Sequence, residues 1–125
     1  MTKKVFLVDD DIDLIEQNKM VLAENGYEVI TSSTAEEALE LLKTVKPDIL
    51  ILDVMMEHHT AGFVLAREIG KKHNNIPIII LSGDPQKANW LGESNDTWDK
   101  IVKFLDKPVK PDELANVVKK VLGDE

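Results

Sequence analysis

The apolar positions of the chain change period several times, and each change marks an element. Val5-Phe6-Leu7-Val8 is an unbroken apolar run, short enough for a strand, and it gives way to Leu14, Ile15, Val21 and Leu22, spaced seven apart on one helical face. Asn25-Gly26 supplies the stop for that helix, and a strand is predicted at Tyr27–Thr31. Thr34 and Glu37 have the spacing of a capping box, ahead of a helix marked by Ala35, Ala38, Leu39, Leu42 and Val45 and ended by Pro47. Ile49–Leu52 is apolar at every position, as a central strand covered on both faces must be. A helix is predicted from about Phe63 to Lys72, with Phe63, Ala66 and Ile69 inward, and Pro77 precedes another continuous run, Ile78-Ile79-Ile80-Leu81. Between Gly83 and Lys103 the period blurs, and one helix and a short strand are expected there. The last helix opens on Pro111 with Asp112 and Glu113 at its positive end. Its stripe is Leu114, Val117, Val118, Val121 and Leu122, and it stops at Gly123.

Strand and helix alternate over five units. That alternation predicts a three-layer α/β fold, a doubly wound (βα)5 parallel sheet of flavodoxin-like type with strand order 2-1-3-4-5. The 125 residues fit one domain, 1–125. A formal net charge of -8 disfavours direct binding to a nucleic-acid backbone and favours cations or basic partner faces. Without cysteine, thiolate catalysis and cysteine zinc sites are excluded. No stretch has the apolar length of a signal h-region or a membrane span, so a cytoplasmic protein without membrane insertion is expected.

The chemistry gathers at strand ends. The first strand runs into Asp9 and Asp10 and the third into Asp53, and in the expected order these strands are neighbours at the switch point, where carboxyl ends line a crevice. Carboxylates crowded there repel one another unless a cation joins them, and hard Mg²⁺ suits an all-oxygen site with room for phosphate. Ser82 ends the fourth strand and Lys107 follows the fifth, adding a hydroxyl and an ammonium to the same rim. Acids, hydroxyl and lysine together suit phosphoryl chemistry with a carboxylate nucleophile. Asp11 reads as a helix cap rather than a ligand. His58-His59 reads as a solvated loop rather than a metal site, and Trp90 and Trp98 as packing residues. A serine-hydrolase triad through Ser82 is set aside, because no Gly-x-Ser-x-Gly elbow exists.

Four segments, Val8-Asp9-Asp10-Asp11, Leu52-Asp53-Val54-Met55-Met56, Leu81-Ser82-Gly83 and Asp106-Lys107-Pro108, stand in an order and spacing that resembles the receiver domain of two-component response regulators, over essentially the whole chain. The resemblance implies that Asp53 is the phosphoacceptor and that Asp9, Asp10 and Asp53 hold Mg²⁺ together with the Met55 carbonyl. It implies that Ser82 and Lys107 contact the phosphoryl group, that the Lys107–Pro108 bond is cis, and that Ser82 and Phe104 form a switch. The expected donor is a sensor histidine kinase or phosphotransfer protein. The expected target is a protein that reads the face made by the fourth helix, fifth strand and fifth helix, with phosphorylation-dependent dimerisation a further option. Catalysis is then confined to the domain's own phosphorylation and dephosphorylation. The chain departs from the pattern where Glu57 replaces the usual proline, in a 57–62 loop one residue longer, and in a longer segment between Ser82 and Lys107. Met55 and Asp84 occupy positions that tune phosphate lifetime in the family. Two other readings are an aspartate-nucleophile phosphohydrolase or phosphotransferase of similar layering, and a docking module that works without phosphate.

Overall fold

The computed structural model describes residues 2–53, 76–82, 101–106 and 109–123. Five strands, β1 (Lys4–Val8), β2 (Glu28–Ser32), β3 (Ile49–Asp53), β4 (Ile78–Ser82) and β5 (Ile101–Asp106), pair in parallel in the order β2-β1-β3-β4-β5. This is the predicted flavodoxin-like order. Three helices are described: α1 (Ile12–Glu24), α2 (Ala35–Leu41) and α3 (Pro111–Leu122).

The continuous apolar runs follow from burial on both sides of the sheet. Because successive strand residues point to opposite faces, Phe6, Val8, Leu50, Leu52, Ile78 and Ile80 join Ala38 and Leu42 in one core. Their neighbours Val5, Leu7, Ile49, Ile51, Ile79 and Leu81 join Ile15, Leu22, Leu114, Ala115 and Val118 in another. So α1 and α3 cover one face, packed side by side, and α2 covers the other. All four residues Ile49–Leu52 are fully buried. Each such side chain contributes on the order of 2 kcal/mol from its area alone, so β3, like β1 at Val5–Val8, leaves its apolar positions no room for an unpaired polar residue.

Helix ends follow their capping residues. Asp11 caps α1, its carboxylate accepting from the Asp13 and Leu14 amides at 3.1 and 3.3 Å. Thr34 Oγ1 accepts from the Glu37 amide at 3.1 Å, the first half of the expected capping box. Gly123 takes the left-handed conformation with φ 73° and closes α3, and Lys3 Nζ donates to the Leu122 carbonyl at 2.9 Å where the helix dipole is negative.

Several boundaries differ from the sequence pattern. The spacing carried α2 to Val45, yet the regular helix ends at Leu41: the Lys43 and Thr44 amides reach back only three residues, to Glu40 and Leu41 at 3.2 Å, and the last turn tightens. The second strand starts at Glu28 rather than Tyr27, since Gly26 at φ 92° turns the chain and the Tyr27 amide still bonds to the Leu22 carbonyl of α1. Strands β3 and β4 each run one residue further than their apolar runs, so that Asp53 and Ser82 belong to the sheet. The helix expected at 63–72 and the one expected between 83 and 103 lie outside the described residues. Among the described residues, no helix is long and apolar enough to cross a membrane.

Candidate functional site

The carboxyl ends of β1 and β3 are adjacent, with Val8 in register with Leu52, so the next residue of each strand emerges on the same rim. Those residues are Asp9 and Asp53, and each is 1 % exposed. Asp10 follows on the solvent side. One carboxylate oxygen from each of Asp9, Asp10 and Asp53 lies within 4.8 Å of the others. The Asp11 amide donates to Asp9 Oδ1 at 3.0 Å, and the Asp9 amide donates to the Ser32 carbonyl of β2 at 3.1 Å, so the turn that carries the acids is held from both sides. Asp53 in turn is in register with Leu81 of β4, and Ser82 with Asp106 of β5, which brings the ends of four strands to one edge.

An all-oxygen cluster of this kind suits a hard divalent cation. Magnesium takes one or two carboxylates, keeps several waters and accepts phosphate oxygens as further ligands, whereas soft metals would call for sulfur or imidazole donors that the cluster lacks. Two buried acids and one exposed acid also give the site a closed floor and an open mouth.

Residues 5–119 match the family model for the response regulator receiver domain. The chain belongs to that family. Among curated relatives of this receiver, the alkaline phosphatase synthesis transcriptional regulatory protein PhoP of Bacillus subtilis is 32 % identical over 123 residues, covering 98 % of this chain and 49 % of its own length. The regulatory protein VanR of Enterococcus faecium is 31 % identical over 119 residues, covering 95 % of this chain and 49 % of its own. The receiver thus spans about half the length of these relatives. A solved response regulator, TrrA of Thermotoga maritima in complex with Mg(2+)-BeF, superposes with a TM-score of 0.81 at 31 % identity, covering 97 % of this chain and all of that one. A CheY-like receiver domain protein from Methanospirillum hungatei has a TM-score of 0.86 at 22 % identity, covering 99 % of this chain and 96 % of that one, and speaks for the fold alone.

Within this receiver, the structure brings Asp9, Asp10 and Asp53 together as the strand order requires. Asp11 stays outside the cluster as the cap of α1, the role its position suggested. Ser82 is the last residue of β4, on the rim beside the Asp53 strand. Phe104 lies within β5, in register with Ile80. Met55, Lys107, Pro108, Asp84, the 57–62 loop, His58, His59, Trp90 and Trp98 fall outside the described residues. One contributor went unread in the sequence: Ser32, at the end of β2, is 2 % exposed and touches the acid-bearing turn through its carbonyl. The polar run Ser32-Ser33-Thr34 directly after apolar β2 was the available signal.

Proposed function

We propose that Asp53 accepts a phosphoryl group from a phosphohistidine on a sensor histidine kinase or phosphotransfer protein, and that the resulting charge shifts the domain between two packings read by a downstream protein. The observation that carries this reading is the convergence of Asp9, Asp10 and Asp53 at the switch point of a receiver sheet. A solved relative holding Mg(2+)-BeF supports it from the ligand side.

Asp9, Asp10 and Asp53, with the Met55 carbonyl that the family pattern supplies, would hold magnesium. When bound, the ion supplies neutralising charge to the phosphoryl oxygens. The chain's own groups do the rest. An Asp53 oxygen forms the P–O bond while the P–N bond to the donor imidazole breaks, leaving an acyl phosphate on Asp53 and the histidine restored. Burial of Asp9 and Asp53 restricts their rotamers, so the acceptor needs little reorganisation before attack. Asp10, at the solvent side, draws cations to the mouth. Ser82 at the end of β4 and Lys107 beyond β5 are assigned to the phosphoryl oxygens, the hydroxyl by hydrogen bonding and the ammonium by charge. Water later attacks phosphorus, releasing inorganic phosphate and regenerating the carboxylate. No external substrate is turned over, and residues 1–125 act as one receiver domain in the cytoplasm. The signal leaves through the face that contains β5 and α3, with Phe104 of β5 assigned to the switch.

Incubation with Mg²⁺ and acetyl phosphate, followed by intact-mass measurement, is expected to give one phosphoryl adduct that is absent in Asp53→Asn. An adduct retained in that variant, or steady phosphate release from unrelated phosphate esters, would refute the assignment.

A further inference from the structure

We propose that Ser32 is a positioning residue for Asp9, and that it links the acid cluster to the N-terminus of α2. The proposal rests on the reading of Asp9 as a metal ligand. The Ser32 side chain is buried, so water cannot serve its hydroxyl, and the hydroxyl instead donates to the Thr34 carbonyl at 2.8 Å. The same residue's carbonyl accepts from the Asp9 amide at 3.1 Å. Asp9 Oδ1 accepts from the Asp11 amide at 3.0 Å, and Asp11 Oδ1 caps α1. On the other side, Thr34 is the N-cap of α2, and its carbonyl also accepts the Ala38 amide at 3.1 Å while its hydroxyl accepts the Glu37 amide. An unbroken series of hydrogen bonds therefore runs from the first turn of α2, through Ser32 and Asp9, to the first turn of α1.

The strand itself does not need a hydroxyl at this position. Ser32 pairs with Val8 in the β1–β2 ladder and points into a buried environment, where alanine would satisfy the ladder equally well. What the hydroxyl adds is a fixed path for the β2–α2 connection. That path sets the direction of the Ser32 carbonyl, and with it the Asp9 amide. Groups that orient metal ligands from behind act in this way: they do not touch the ion, but they fix the ligand oxygen that does.

The link works in both directions, because a coupling between two sites is reciprocal. Ion uptake at Asp9 stiffens the first turn of α2, and loosening that turn weakens the ion site.

The test compares the unaltered protein with Ser32→Ala and Ser32→Thr, using calorimetric titration with MgCl₂ and amide hydrogen exchange read by NMR. Ser32→Ala is expected to weaken Mg²⁺ binding about fivefold, the equivalent of one ordinary hydrogen bond, and Ser32→Thr to restore it. Mg²⁺ is expected to slow exchange at the Glu37 and Ala38 amides of the unaltered protein, and to lose that effect in Ser32→Ala. This last readout separates positioning from mere turn stability, and its first half needs no variant. Unchanged Mg²⁺ affinity in Ser32→Ala, or α2 amides indifferent to Mg²⁺ in the unaltered protein, overturns the role of Ser32 alone. An unaltered protein that takes up no Mg²⁺ overturns the acid-site reading and this proposal with it.

Discussion

Neutralising the exposed acid of the cluster should have opposite effects with and without magnesium. Asp10→Asn keeps the size and shape of the side chain and removes one negative charge from a group of three whose oxygens lie within 4.8 Å. At that separation two unit charges repel by about 1 kcal/mol at the dielectric constant of water and by about 3.5 kcal/mol at an effective value of 20. Asp10 faces solvent, so the lower figure applies and is screened further; a net relief of about 0.5 to 1 kcal/mol is expected in the metal-free protein. In a domain of this size that raises Tm by roughly 3 °C. Magnesium reverses the order. At about ten times its Kd the ion stabilises the unaltered protein by about 1.4 kcal/mol, and the variant, one ligand short, gains much less. Thermal melts at low ionic strength, in chelator and in Mg²⁺, would show the two curves exchange places, and added KCl would shrink the metal-free difference first. A variant less stable than the unaltered protein in chelator, or equal gains from Mg²⁺ in both, would refute the argument that these three carboxylates form one cation site.

Other substitutions probe the scaffold around that site. Asn18 lies on the buried face of α1 with Ile15 and Leu22, and among the described residues its Oδ1 has no hydrogen-bond partner; Asn18→Leu should stabilise by about 1 kcal/mol in urea unfolding with an unchanged slope, and a loss of stability would show that the amide is satisfied in solution. Asp11→Ala removes the cap of α1 and should cost about 1 kcal/mol, while its backbone bond to Asp9 Oδ1 survives. Labelling of that variant by acetyl phosphate should therefore persist, and a complete loss of labelling would place Asp11 among the ligands. Lys3→Met deletes the Nζ contact to the Leu122 carbonyl and should cost about 0.5 kcal/mol, more at low salt than at high; a salt-independent cost would point to packing instead.

The features legible in the sequence were those fixed by period and chain order. Ile49–Leu52 was legible as a doubly covered strand, because a run of four aliphatic residues bounded by Pro47-Asp48 and Asp53 is too short for a buried helix and lacks the alternation of a half-exposed strand. Once the runs at Val5 and Ile49 are neighbouring parallel strands, the meeting of Asp9 with Asp53 is a consequence of topology rather than of any local signal. Asp11 and Thr34 were legible for a different reason: capping is local chemistry, decided within three residues. The end of α2 was not. Leu42 and Val45 keep helical spacing and Leu42 is buried, but the chain leaves the helix after Leu41 through a turn in which the Lys43 and Thr44 amides bond only three residues back.

Ser32 shows a further limit, and it bears on how sites of this type are built. Its identity as a residue that holds Asp9 depends on three segments meeting: the end of β1, the end of β2 and the first turn of α2. No period and no short motif encodes such a meeting, since at least one partner in each contact is a backbone group common to all residues. The sequence announces the acids because carboxylates after an apolar run are conspicuous, and it is silent about the carbonyl that aims one of them. Acid placement is thus written in side chains, whereas acid orientation is written largely in the backbone. Changes at β2 and α2 that leave Asp9, Asp10 and Asp53 untouched should then tune ion affinity in this receiver, Ser32 among them because its hydrogen bonds reach both the Asp9 amide and the N-cap of α2.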